Sequence, residues 1–170
     1  VVHIRFLLSG KPGAVVNVSH AVLRTYQAIV YPAQCDAMGH MTVQYYVAAF
    51  DQAMWNLVYT LGWRPAALPD RTGFADVRHV TDYRVELAAG APFAVESVPL
   101  RCGRTSLVTS HRMYDVANRV LAAEMEMTSV HFDLVNRVAV PLPDAFRQLV
   151  SARAGWPARI GLDEDSADER

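Results

Sequence analysis

Asp36, Gly39 and His40 stand together in the run Tyr31-Pro-Ala-Gln-Cys-Asp-Ala-Met-Gly-His-Met-Thr-Val-Gln-Tyr-Tyr46, directly ahead of a long apolar stretch. A carboxylate and a glycine-bearing turn at the start of a helix sit beside backbone N–H groups that no intrahelical carbonyl accepts. Such a junction can hold a polarised carbonyl oxygen while the carboxylate, or a water it activates, attacks the carbon. A plainer role is open to Asp36, because an acidic residue near a helix N-terminus is stabilising by about 0.3–1 kcal/mol. His40 either packs under the loop against backbone or orients Asp36 or a substrate group, and support is favoured over proton transfer. Gly39 supplies a backbone conformation that other residues avoid. Cys35 adjoins Asp36 but has no identified base partner, so it is not read as a nucleophile.

The elements that must position these residues follow from pattern. Val22 to Tyr31 reads as a strand and Pro32 to Met41 as a loop. Thr42 is the expected N-cap, its hydroxyl accepting from an early helix N–H. The helix runs from Val43 to about Leu61 and stops at Gly62. Its apolar residues leave a narrow polar stripe of Gln44, Gln52, Asn56 and Thr60, as in a helix wrapped on most sides. Pro65 to Thr72 reads as a loop, and Tyr83, Val85 and Leu87 then alternate with Arg84 and Glu86 as in a strand. Further strands are expected over Phe93 to Arg101, with Pro99 marking an edge or bulge, and over Ser106 to Tyr114 and Val120 to Asp133. A short helix is expected over Asp144 to Val150. No internal repeat is apparent. Consecutive strands with short links favour antiparallel pairing, so the fold class is α+β, an antiparallel sheet around one helix.

The bulk numbers exclude several functions. The chain has 170 residues, enough for one domain with a core, and its composition is 52% hydrophobic and 19% charged. A formal net charge of -1 gives no case for nucleic acid or an anionic membrane. Lys11 is the only lysine, read as genome composition. Cys35 and Cys102 form neither a metal motif nor a disulfide framework, which is compatible with a reducing cytoplasm. Val43 to Leu61 is interrupted by Asp51, Gln52 and Asn56 and is a poor membrane span, and no signal-peptide layout is seen. Residues 1–20, broken by Gly10-Lys-Pro-Gly13, are expected to be a disordered extension, with the folded domain over 21–150 and an acidic, solvated tail over 151–170.

Three motifs carry a resemblance over about Leu23 to Gln148. Asp36-Ala-Met-Gly-His-Met41 followed by Tyr46 is similar to an Asp-x-x-Gly-His-Val/Met-Asn…Tyr motif. Asp82-Tyr-Arg-Val-Glu-Leu-Ala-Ala-Gly90 resembles a strand-and-turn ending in Gly-Asp, and Arg101-Cys-Gly-Arg-Thr-Ser-Leu107 a Gly-Arg-Ser/Thr-Ser hairpin. The closing Pro141-Leu-Pro143 is of the same type. The sequence resembles hotdog-fold acyl-CoA thioesterases of the 4-hydroxybenzoyl-CoA thioesterase-like group. It departs from them at Thr42, where many members have Asn, and at Ala91, where Asp is usual.

The resemblance implies a curved antiparallel sheet wrapped around a long central helix. It implies Asp36 as catalytic carboxylate, nucleophile or general base, with N–H groups near Thr42 and Val43 polarising the thioester carbonyl. Arg104, Thr105 and Ser106 would meet the coenzyme A moiety, where a guanidinium suits phosphates. Tyr46 and Trp55 are candidate pocket walls, each equally a core or interface residue. His79, His111 and His131 receive no role. No metal or prosthetic group is expected, coenzyme A being part of the substrate. The chain is expected to form a homodimer or homotetramer with the site between protomers, because an uncovered edge strand is a liability. The alternatives are an enoyl-thioester hydratase on the same fold and a non-catalytic acyl-CoA sensor.

Overall fold

A computed structural model describes residues 22–64 and 71–156. The expectations for residues 1–20 and for the tail beyond Trp156 lie outside the described residues. The elements are β1 (Leu23–Ile29), a 3-10 turn (Pro32–Gln34), α1 (Val43–Thr60), β2 (Thr72–Tyr83), β3 (Pro92–Cys102), β4 (Ser106–Asp115), β5 (Val120–Asp133), β6 (Val138–Ala139) and α2 (Asp144–Ala152). The strands form one six-stranded sheet in the order β1-β3-β4-β5-β2, with β6 paired to β5 and every pairing antiparallel.

Helix α1 packs on β1, β3 and β4. Phe50, Met54, Leu57 and Val58 enter a core with Val95, Leu107, Met113, Met125 and Met127. Full burial of each such side chain stabilises by roughly 1.5–3 kcal/mol. The polar stripe faces out as expected, though the Asn56 side chain donates to Thr25 O at 2.7 Å and so ties α1 to β1. A second stripe at fourfold spacing is also left open: Val43, Trp55 and Tyr59 are exposed, and Val47 and Asp51 are half-buried.

One expectation is corrected. The strand is Thr72–Tyr83, and Arg84 to Leu87 leaves the sheet instead of continuing the alternation along it. Strand β2 is an edge, largely exposed, with a bulge between Asp76 and Arg78 that breaks its period. Its charged residues hide the strand signal, while the true alternation at 83–87 belongs to a crossing segment. Pro99 does sit at a bulge, between Pro99 and Arg101, but in a central strand. Its carbonyl accepts from Gly155 N–H at 2.7 Å. Trp156 follows, donating to Ser110 Oγ at 3.1 Å beneath the Arg112 guanidinium, while α2 sends Phe146 and Val150 into the core that α1 enters.

The core holds a polar chain. Thr25 and Ser97 hydroxyls are 2.6 Å apart, Ser97 Oγ is 2.7 Å from His111 Nδ1, and His111 Nε2 is 2.8 Å from Thr109 Oγ1. His111 is fully buried, and burial pushes its pKa down to about 3, so it is neutral.

A local repeat escaped the sequence reading. Asp115-Val-Ala-Asn118-Arg119-Val120 and Asp133-Leu-Val-Asn136-Arg137-Val138 build the same hairpin turn. In each, the aspartate accepts two backbone N–H groups and the asparagine amide, and the arginine takes a left-handed conformation, φ 58° and 60°.

Candidate active site

Strand β1 delivers the chain to a tight turn. Asp36 N–H donates to His40 O at 2.9 Å and Gly39 N–H to Asp36 O at 3.0 Å. Asp36 Oδ1 accepts from Met38 N–H at 2.8 Å and from His40 N–H at 3.3 Å. Gly39 has φ +86°, the left-handed region, with open space where a Cβ would stand. The turn therefore needs glycine for its backbone and not for room. Asp36 is exposed, and its Oδ2 makes no hydrogen bond or ion pair among the described residues.

Thr42 is the N-cap of α1 by conformation, φ −74° and ψ 153°, but its hydroxyl caps nothing. This corrects the expected side-chain cap. Thr42 Oγ1 is buried without a partner, and no helix N–H donates to it. The N–H groups of Val43 and Gln44 fall in the first turn, where no intrahelical carbonyl can accept them. They are the donors available to a carbonyl oxygen at this end.

The crossing segment after β2 locks the loop in place. Arg84 and Val85 N–H both reach Ala122 O, at 2.8 and 3.1 Å. Met41 N–H donates to Leu87 O at 2.8 Å, and His40 pairs with Ala88 in an isolated bridge. Leu87 N–H donates to the Tyr46 hydroxyl at 3.2 Å. Tyr46 is buried, meets Tyr83 edge-on at 5.2 Å, and has its phenol pushed up by burial. Its hydroxyl is thus occupied in holding the loop. Glu86 Oε2 lies 3.4 Å from His40 Nε2. Glu86 was missed because its partner is distant in sequence.

Arg104, Thr105 and Ser106 lie at the opposite end of the sheet. Their hairpin is pinned by Gly103 N–H to Ser106 O, His131 N–H to Thr105 O and Leu142 N–H to Arg104 O, at 2.8, 2.7 and 2.8 Å. The Asp36 loop instead joins the Pro92 end of β3, through Val30 N–H to Ala91 O at 3.0 Å. The whole of β3, 11 residues or roughly 35 Å, separates the two. One chain does not bring Asp36 and Arg104 together.

Between α1 and β2 lies a further polar cluster. Ser129 Oγ donates to Asp76 Oδ1 at 2.6 Å, and His79 Nε2 is 3.5 Å from Asp76 Oδ2. Asp51, on the open stripe of α1, has its carboxyl raised by burial and then by the charge of Asp76. The available sequence signal was a lone acid on an otherwise apolar helix. Among the described residues, no group of three or more His, Cys, Asp or Glu is placed to hold a metal, and no helix is long and apolar enough to cross a membrane.

A family model described as the thioesterase-like superfamily matches residues 30–150. Among solved structures, the chain is similar to a 1,4-dihydroxy-2-naphthoyl-CoA thioesterase from Synechocystis, at 16% identity and TM-score 0.65, covering 75% of this chain and 95% of that one. A protein from Staphylococcus aureus, solved in complex with CoA, is similar at 17% identity and TM-score 0.69 over 85% and 98% of the two chains. A gentisyl-coenzyme A thioesterase is similar at 17% identity and TM-score 0.65 over 74% and 98%. At these identities the likenesses establish the fold. No curated protein matches the chain.

Proposed function

The chain belongs to the thioesterase-like superfamily and is a thioester hydrolase, and on that premise we propose that it hydrolyses an acyl- or aroyl-CoA to the free acid and coenzyme A. The observation that carries this reading is the Asp36 turn. It commits one carboxylate oxygen to the backbone and leaves the other open, at an exposed loop one step ahead of unaccepted helix N–H groups. Asp36 either attacks the thioester carbonyl, forming an anhydride and expelling the thiolate, or takes a proton from the water that attacks. In both routes the Val43 N–H side of the helix stabilises the developing oxyanion.

The distance between the Asp36 loop and the Arg104 hairpin supports a site shared by two copies. An antiparallel pairing of two β2 edges would set the Thr72 end of one chain beside the Tyr83 end of the other. That brings the Arg104-Thr105-Ser106 hairpin of one protomer toward Asp36 of its partner, for the coenzyme A phosphates. It would also cover the exposed β2 edge and the open stripe of α1. The proposal includes a homodimer as the smallest complete unit, and the reducing cytoplasm with which the cysteine usage is compatible.

The test is coenzyme A release, read with a thiol reagent, across benzoyl, hydroxylated benzoyl, short, medium and long acyl-CoAs. Aroyl groups belong in the panel because two of the similar structures are aroyl-CoA thioesterases by name. Turnover by wild type and its loss in Asp36→Asn are expected. An enoyl-CoA in the same panel separates hydration, read by enoyl absorbance, from hydrolysis. Absence of thiol release from every member would refute the proposal for these substrates.

A further inference from the structure

Glu86 lies between two clamped neighbours. Val85 is held by Ala122, and Leu87 by Met41 and Tyr46. The root of its side chain is therefore fixed, and Oε2 stands 3.4 Å from His40 Nε2. His40 is fixed as well, since its N–H and carbonyl both bond Asp36 and its backbone pairs with Ala88. The imidazole has two distinguishable nitrogens, and the partner of one decides the state of the other. In a neutral ring that carries its proton on Nε2, toward the carboxylate, Nδ1 is a bare acceptor.

His40 Nδ1 is buried and has no partner. Thr42 Oγ1 is buried and has no partner either. Residues 40 and 41 sit in β-bridges and Thr42 is extended, so the side chains of His40 and Thr42 leave on the same side while Met41 enters the core. A bare imidazole nitrogen accepts only, and a hydroxyl can donate or accept. Two unsatisfied groups of this kind on one side of a loop fit a single water molecule, which can join them and retain a hydrogen for a third acceptor. Asp36 Oδ2 is the carboxylate oxygen that the turn leaves open.

We propose that Glu86 is a positioning residue: by accepting the Nε2–H of His40 it keeps Nδ1 bare, and Nδ1 with the Thr42 hydroxyl holds one water molecule at the Asp36 turn. This deepens the thioesterase reading and rests on it. The held water is the oxygen source. Its oxygen adds to the acyl carbon of the thioester as its proton passes to the Asp36 carboxylate, or, if Asp36 has attacked first, to the acyl carbon of the anhydride, its proton then passing to the Asp36 carboxylate as that is released. On the direct route the C–S bond breaks and the thiolate leaves to be protonated as coenzyme A. On the anhydride route the C–S bond has already broken, and the bond from the acyl carbon to the Asp36 oxygen breaks instead.

The experiment is a two-bond proton–nitrogen correlation spectrum of the full chain with labelled histidine, His40 being assigned by loss of its signals in His40→Gln. Wild type is expected to show Nε2 protonated and Nδ1 bare. Glu86→Ala is expected to mix the two neutral tautomers and to lower kcat by roughly tenfold or more, the range typical of lost histidine-orienting partners, with KM little changed. Glu86→Gln, whose amide oxygen still accepts, should keep the wild-type tautomer and most of kcat. A protonated Nδ1 in wild type, or a Glu86→Ala variant with unchanged tautomer and kcat, would overturn the proposal. The spectrum needs no turnover. A wild type that releases no thiol would refute the thioesterase reading, while the tautomer would be decided on its own signals.

Discussion

Asp115 accepts Ala117 N–H, Asn118 N–H and the Asn118 amide, at 2.9, 3.0 and 2.7 Å, and both of its oxygens are used. Asp133 repeats this pattern. Asp36 also closes a turn by accepting from the N–H two residues on, but its bonds fall on Oδ1 alone. The hairpin aspartates are held below the usual carboxylate range by donors from their own turns, first among them Asn118 N–H and Asn136 N–H. All three begin from the same local chemistry, a short acid capping its own backbone. They part in what the turn leaves over. A saturated aspartate serves the fold, and one with an open oxygen on an exposed loop has capacity for a substrate or a water.

The strongest way to break this comparison is to neutralise Asp36. Asp36→Asn keeps an oxygen for Met38 N–H and His40 N–H, so the turn and the thermal midpoint should change little. Its kcat/KM for the best acyl-CoA should fall by about 10²-fold or more, the scale of a lost general base or nucleophile. A variant that unfolds at lower temperature while retaining turnover would place Asp36 with the hairpin aspartates.

His111 extends the contrast to a buried group with every polar atom used. Its folded pKa, about 3, lies below the ordinary 6.5. Above pH 6.5 the imidazole is neutral in both states and contributes nothing to the pH dependence. As pH falls from 6.5 toward 3, the unfolded chain takes up a proton that the folded chain does not, and stability is lost by about 1.4 kcal/mol per pH unit. Denaturant unfolding at stepped pH should show this slope. His111→Gln, which does not titrate there, should flatten it, leaving a further loss below about pH 4 as Asp115 and Asp133 become protonated.

Asp115→Ala is the converse of the Asp36 variant. It removes the acceptor of three donors at a buried position and should destabilise by about 1–3 kcal/mol in denaturant unfolding. The kcat of the folded fraction should match wild type. A selective loss of kcat would mean that the β4–β5 hairpin, which shares the Pro92 end of the sheet with the Asp36 loop, reaches the chemistry.

Helix α1 and the central strands were legible because their signals are local. Gly62 stops the helix, and Leu107, Met113, Met125 and Met127 are apolar on one face. Strand β2 was not legible because an edge strand has a face and a border without partners in the same chain, so Asp76, Arg78 and His79 erase its alternation. The alternation read at Tyr83 to Leu87 was real, but it serves Leu87 in the core and Glu86 at His40. Asp36, Gly39 and His40 were legible as a turn because their bonds span at most four residues. The Glu86 contact depends on a segment 46 residues further along the chain from His40, beyond the reach of local pattern.

The two hairpin turns can be told apart from each other. Arg119 and Arg137 both take the left-handed conformation, which costs a non-glycine residue roughly 1–2 kcal/mol. Glycine removes that strain but gives the unfolded chain more freedom, worth about 0.5–1 kcal/mol, so the two effects largely offset. Arg137 also places its guanidinium 5.1 Å from the Phe132 ring centroid, a contact worth roughly 0.5–1 kcal/mol at an exposed site. Arg119→Gly should therefore leave the denaturant midpoint unchanged or slightly raised, and Arg137→Gly should lower it relative to Arg119→Gly by the value of that ring contact. Equal midpoints would mean that the ring contact contributes nothing and that the two turns are energetically the same device. The opposite order would mean that backbone strain is greater at Arg137 than its φ of 60° implies.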